Sequence, residues 1–186
     1  MQIDVIADGE LPSGAVLEVR DLVRGAWPFL FDETDTGGLW WLAELEPVHV
    51  VATEGDRVVG YCAVIRTSVV LAHERRDILG LHGVVVRDAH RGRGCGQAIV
   101  ATATKLIRES SLPAMLFCEP QLIAFYERAG WESHADSVTF VGTEASPQTV
   151  EADPTFPEVR MMLFSTQTRD TDEWREKRLY VGGSTW

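Results

Sequence analysis

VVVRDAHRGRGCGQAIV, from Val84 to Val100, decides the fold. Its three valines end an apolar stretch, ILGLHGVVV, that reads as a strand from Ile78 to Val86. A turn with Gly92, Gly94 and Gly96 follows. Ile99, Val100, Ala103 and Leu106 then recur at helical spacing, which predicts a helix from Gly94 to about Ser110. The glycines let backbone approach a ligand closely. The first N–H groups of the helix have no internal partner and point outward, and the helix dipole adds partial positive charge there. Together these features form a cradle for a pyrophosphate. Arg91 and Arg93 add two charges in the same turn. The spacing fits neither G-x-G-x-x-G nor the Walker lysine motif. It fits R-x-x-G-x-G, with Arg91, Gly94 and Gly96 at the fixed places.

Upstream of this segment, Gln2 to Ala7 alternates as a strand. A helix follows from about Ser13, its expected N-cap, to Gly25, with Val16, Val19, Leu22 and Val23 on one face. WPFLFDETDTGGLWW, Trp27 to Trp41, is irregular and acidic, broken by Gly37-Gly38. His49 to Thr53 and Val58 to Ile65 form a hairpin with Gly55-Asp56 at its turn. Gly83 in mid-strand marks a bulge or a close backbone approach.

Downstream, Ala114 to Cys118 is a short strand. Pro120 opens a helix through Ala129, which Gly130 closes. Gly142 to Pro157 reads as a long loop, and Val159 to Phe164 as a last strand. The charged tail from Asp170 carries Trp174, Tyr180 and Trp186, so it is expected to dock. This order of elements predicts an α+β, or mixed α/β, domain.

The 186 residues suit one domain, 1–186, with a docked C-terminal tail from about 165. Apolar residues are 45% and charged residues 24%, an ordinary globular composition. The net charge of -11 argues against nucleic acid as the main partner; it suits a cationic substrate, and by itself reads equally as plain solubility. Cys62, Cys95 and Cys118 match no metal-ligand spacing, so no metal is expected and the thiols read as reduced in the cytoplasm. MQIDVIADGELP has no basic region leading an apolar stretch, so neither signal peptide nor membrane partner is expected. Trp27, Trp40 and Trp41 suit either a substrate wall or a homodimer seam.

The strand, glycine turn and helix resemble the acetyl-CoA motif of the GCN5-related N-acetyltransferases (GNAT). A second string, FYERAGW from Phe125 to Trp131, resembles that family's other motif, in which a tyrosine faces the coenzyme A sulfur. Here it is Tyr126, whose phenol, with a pKa ordinarily near 10, is suited to protonate a departing thiolate. The competing reading is a core tyrosine at helical spacing from Ile123 and Gly130. The resemblance implies a central mixed sheet of about six or seven strands, splayed between two central parallel strands, with about four helices. It implies that acetyl-CoA is the cofactor. The backbone of Val84, Val85 and Val86 would pair with its pantetheine arm, and Arg91, Gly92, Arg93, Gly94, Cys95 and Gly96 would hold its pyrophosphate.

The resemblance narrows to aminoglycoside 2′-N-acetyltransferases. The matching pieces are FDETD (Phe31 to Asp35), DSVTFVGT (Asp136 to Thr143), read as the start of a loop, acids at Glu151 and Asp153, and EWR (Glu173 to Arg175) before a terminal tryptophan. In that family the terminal carboxylate reaches the active site, which assigns Trp186 here. Asp32, Glu33, Asp35, Glu151 and Asp153 lie in irregular segments, where binding residues sit; each alone also reads as a solvated surface acid. A polycationic antibiotic needs several such acceptors in one cleft.

The sequence also departs from the family. Its strand glutamate before the bulge is His82 here, which offers a proton acceptor with a pKa ordinarily near 6.5 and no fixed charge. A packed, hydrogen-bonded strand histidine is the competing reading. Another family aspartate falls at Leu30. An acid near the C-terminus is replaced around Ser184, and Arg178 to Gly183 reads as an insertion. Fewer anchoring acids point to a substrate with fewer amines, and kasugamycin is the favoured candidate.

The mechanism so implied is direct transfer in a ternary complex. His82 or the Trp186 carboxylate takes the ammonium proton, a backbone N–H near Val84 polarises the carbonyl, and Tyr126 protonates the sulfur. Two alternatives stand beside this reading: the same fold acting on a polyamine, an amino acid or a protein N-terminus, or a non-catalytic acetyl-CoA-binding module.

Overall fold

A computed structural model describes residues 1–28, 31, 45–134, 139–143, 146–149, 159–168, 171–176 and 179–181. The chain divides into two compact units, Met1–Ile65 with Leu81–Ala103, and Arg66–Gly80 with Thr104–Trp186. The expected mixed α+β class holds, with ten strands and four α-helices among the described residues rather than about six or seven strands.

In the first unit, β1 (Gln2–Ile6) pairs antiparallel with β2 (Val48–Glu54), and β2 with β3 (Arg57–Leu71). Gly55, at φ +60°, supplies the left-handed residue of the expected β2–β3 turn. α1 (Ser13–Ala26) lays Val19, Leu22 and Val23 on Val51, Tyr61, Ala63 and Ile65 of β2 and β3. Burying each such aliphatic side chain stabilises by ~1.5–3 kcal/mol. Ser13 is not the cap: Pro12 occupies that place, with no side-chain hydrogen bond to the helix. Pro12 has φ -57° and ψ 140°, extended values that lead the chain into the helix without a capping side chain.

The strand predicted from Ile78 is longer: β4 runs Glu74–Val86, and β3 runs on to Leu71, past the expected end at Ile65. The two meet at Ala72 and His73, at φ +52° and +67°. Both residues adopt the left-handed conformation of a primed hairpin turn without a glycine, so the turn left no signal in the sequence. α2 (Cys95–Glu109) begins directly after the glycine turn, burying Ile99, Val100, Ala103 and Ile107. Leu106, expected on that face, is only half-buried.

In the second unit the strand order is β6 (Glu132–Ser133), β9 (Val159–Leu163), β5 (Ala114–Cys118), β4, β3, β10 (Leu179–Val181), β7 (Thr139–Thr143), β8 (Ser146–Thr149). β5 is parallel to β4 through only Leu79↔Ala114 and Gly80↔Met115, so the ladder between these parallel strands is short. The core gathers Val69, Leu71, Ile78, Met115, Met162, Trp174 and Leu179. The expected helix from Pro120 to Ala129 is instead a 3-10 turn, Pro120–Leu122, and a short α3 (Ile123–Glu127), and Gly130 at φ +89° follows. The segment read as a loop from Gly142 contains the end of β7 and all of β8. Arg178 to Gly183, read as an insertion, contributes β10, antiparallel to β3 and parallel to β7. α4 is Thr171–Glu176. No described helix is long and apolar enough to cross a membrane.

Candidate active site

The glycine turn lies in the first unit. Gly92 and Gly94 have φ of +72° and +83°, a conformation that side-chain-bearing residues adopt at a cost. Among the described residues, chain neighbours aside, no heavy atom lies within 4 Å of where a Cβ would stand on either, so the space above the turn is open to them. The first α2 bond is Ala98 N–H to the Gly94 carbonyl, 3.0 Å, so the amides of Cys95 and Gly96 precede the helical ladder. The first turn of α2 carries no acid. An exposed, left-handed glycine turn ahead of a helix with no carboxylate in its first turn fits a pyrophosphate.

Arg91 is held beside the turn. Its Nε donates to the Val86 carbonyl at 3.2 Å, and its Nη2 stands 3.1 Å from the Asp88 carboxylate. Arg93 is exposed. A pocket of about 210 Å³ is lined by Asp21, Leu22, Gly25 and Ala26 of α1 and by Val85, Val86, Arg87, Asp88 and Arg91. Drug-sized ligands occupy ~300–1,000 Å³, so this pocket admits one section of an extended ligand.

Two contacts that anchor this turn had no local signal. Glu18 of α1 accepts from the Val58 N–H (2.9 Å) and from Arg87 Nη2 (3.1 Å), while Arg87 Nε donates to the Val58 carbonyl (2.6 Å). This ties α1, the start of β3 and the end of β4 at one point. Cys95 is buried, and its Sγ lies 2.8 Å from where a Cβ on Gly60 would be, with the Val85 carbonyl oxygen 3.5 Å from the same point. Cys95 is thus the plug that seats α2 on β3, and burial raises its thiol pKa, as expected of filler rather than a nucleophile. Gly60→Ala is expected to push the helix start off β3, destabilise by ~1–3 kcal/mol and weaken coenzyme A binding. Thermal melts and calorimetry check it; a variant with unchanged stability and affinity contradicts the plug.

Among the other predicted residues, Val85 of β4 is buried, and Val84 and Val86 are half-buried. Gly83 has φ +64°, so the expected mid-strand irregularity is present in β4. His82 precedes it, and its buried Nδ1 has no hydrogen-bond partner among the described residues. Burial lowers the His82 pKa, so the ring is neutral near neutral pH.

Tyr126 belongs to the second unit. It is buried on α3, edge-on to Phe125 (4.9 Å) and Trp131 (6.4 Å). Trp131 Nε1 donates to the Thr104 hydroxyl at 3.0 Å, fixing the FYERAGW string. Cys118 is buried on β5. Asp32, Glu33, Asp35, Glu151, Asp153 and Trp186 lie outside the described residues. Glu173 of the EWR string stands 3.7 Å from Arg76, and Arg175 is bidentate to Glu132, so these two charges serve the second unit's packing.

A model of the Acetyltransferase (GNAT) family matches residues 16–131. The chain belongs to this family. It is therefore an N-acetyltransferase, and the matched span holds the glycine turn, His82 and Tyr126. The GNAT protein YhbS from Escherichia coli, solved in complex with CoA, is similar in fold. Its TM-score is 0.62 at 19% identity, over 96% of this chain and 88% of that one. ElaA from Escherichia coli has a TM-score of 0.61 at 16% identity, over 87% and 99%. An aminoglycoside 6′-N-acetyltransferase complexed with coenzyme A has a TM-score of 0.60 at 16% identity, over 88% and 96%. These identities carry the GNAT fold to this chain, and no substrate. No curated protein matches the chain.

Proposed function

We propose that this GNAT chain transfers the acetyl group of acetyl-CoA to the 2′-amine of an aminoglycoside, kasugamycin being the favoured candidate, and so confers resistance to that antibiotic. The observation that carries the cofactor half is the open, left-handed turn at Gly92 and Gly94 before the Cys95 and Gly96 amides, which precede the helical ladder. Acetyl-CoA supplies an activated acetyl thioester. Its pyrophosphate falls to the 92–96 turn with Arg91 and Arg93, and its pantetheine amides to the backbone of Val84, Val85 and Val86. The Val84 N–H polarises the carbonyl that the amine attacks. The C–N bond forms as the C–S bond breaks, and Tyr126 returns a proton to the sulfur. The chain acts as one domain in the cytoplasm, its tail bringing Trp186 to the substrate, and Asp32, Glu33, Asp35 and Asp153 collect the ammonium groups.

His82 is the favoured base, with Trp186 the other candidate. An unbonded buried imidazole nitrogen costs ~1–3 kcal/mol, and a substrate ammonium or its water offers the missing partner. As a base it works neutral, so kcat/KM rises with pH through the lowered His82 pKa and stays level above it. His82→Ala is expected to remove that limb and cut kcat/KM by ~100-fold. A limb kept unchanged in the variant assigns the base elsewhere, to Trp186 first.

The net charge of -11 suits a polyamine equally well, which keeps that second reading. Thiol release from acetyl-CoA separates the two on four amines: kasugamycin, an aminoglycoside with a 2′-amine, one with a 2′-hydroxyl, and spermidine. Release with the 2′-amino compounds and not with the 2′-hydroxyl one supports the proposal. Release with spermidine alone replaces it.

A further inference from the structure

Tyr61 stands in the middle of the first unit's core, fully buried on β3. A tyrosine in an apolar core must find a partner for its hydroxyl. This one lies 2.8 Å from Nδ1 of His49, itself buried on β2. Val51 is the cross-strand neighbour of Tyr61, and His49 lies two residues before Val51, so the two rings share a sheet face diagonally. On the far side of the imidazole, Nε2 is 3.9 Å from the carboxylate of Asp8, in the turn after β1. Burial holds the phenol pKa well above its usual value and lowers that of the imidazole. The phenol therefore keeps its proton and shares one hydrogen bond with a neutral imidazole; in the tautomer that turns an Nε2–H toward Asp8, Nδ1 accepts from the phenol. Asp8, His49 and Tyr61 thus line up from the surface into the core, with a hydrogen bond between the last two and the Asp8 carboxylate near the outer ring nitrogen.

The other end of the chain is Gly83. Cε1 of Tyr61 lies 3.8 Å from where a Cβ on Gly83 would stand, so the ring edge packs against the left-handed Gly83 of β4, which we read as its bulge. Among the described residues, chain neighbours aside, no other heavy atom comes within 4 Å of that point. A phenylalanine would fill the same space without an anchor for its depth. The hydroxyl, clamped by His49, sets how far the ring reaches under the bulge.

We propose that Tyr61 is a positioning residue: the Asp8–His49–Tyr61 chain fixes the ring, the ring fixes the Gly83 bulge, and the bulge aims the Val84 N–H. The inference rests on the reading of β4 as the strand that meets the acetyl thioester, and it adds three residues to which no role had fallen.

The test joins kinetics to amide exchange. In Tyr61→Phe, kcat is expected to fall about tenfold, as a small misplacement of a reacting group costs, with KM for acetyl-CoA within about twofold. The amides of Gly83 and Val84 exchange faster while those of Ile99 and Val100 do not. His49→Leu behaves like Tyr61→Phe, and His49→Gln, which keeps an acceptor, restores most of kcat. Unchanged exchange at Gly83 and Val84 in Tyr61→Phe overturns the proposal. So does a rise spread evenly over all core amides, which marks a plain loss of stability. A wild-type chain that fails to turn over acetyl-CoA sinks the functional reading instead, and the exchange pattern then still decides whether Tyr61 holds the bulge.

Discussion

Gly94→Val is expected to raise the dissociation constant for coenzyme A by ~100-fold or more, about 2.8 kcal/mol at 1.4 kcal/mol per decade. Two effects act together. Gly94 sits at φ +83°, where a side chain costs of order 1–2 kcal/mol and a β-branched one more. A relaxed turn no longer aims the Cys95 and Gly96 amides outward. A turn that keeps its shape instead lifts two methyl groups into the open space where the pyrophosphate is proposed to lie, since nothing else occupies it within 4 Å. Both outcomes weaken binding. Stability should fall by no more than the strain, because the turn is exposed and packs on nothing there. Calorimetry with coenzyme A and a thermal melt check both parts. Near-normal affinity at normal stability would move the cofactor away from this turn.

Tyr126→Phe should lower kcat by ~100–1,000-fold while coenzyme A affinity holds. The variant keeps the ring that packs against Phe125 and Trp131 and removes only the hydroxyl. A general acid acts only as charge develops on sulfur, so its loss appears in kcat and not in cofactor binding. The two alternatives predict otherwise. A binding module without turnover is indifferent to the change, and a core tyrosine with a structural hydroxyl loses stability and keeps kcat. Rates, affinity and melting temperature of one variant therefore separate three accounts.

What the sequence disclosed followed from distance along the chain. The Val84 to Val100 segment was legible because its strand, turn glycines and helix period are all local. Gly55-Asp56 announced the β2–β3 hairpin for the same reason. The Ala72-His73 turn did not, since it takes a left-handed shape with residues that carry no turn signal, and so β3 and β4 were read too short. Pro147 hid β8, which among the described residues pairs with β7 alone and so tolerates a proline. β10 joins strands far apart in sequence, and no local pattern marks it.

The site divides in the same way. Arg91, Gly92, Gly94 and Gly96 were visible as a motif. Glu18 with Arg87, Cys95 with Gly60, and Tyr61 with His49 are contacts between elements, and each residue alone looked ordinary. His82 could be placed on its strand from sequence, but its unbonded nitrogen only appears once neighbours are packed around it.

The most direct test is a titration of the isotope-labelled chain with coenzyme A, followed through its backbone amides by NMR. The turn is predicted to answer first. Amides of Gly92 through Gln97 should shift in a saturable way, with Val84, Val85 and Val86 shifting alongside them. Saturable shifts confined to other segments, or none at all, would contradict the assignment of this turn as the coenzyme site.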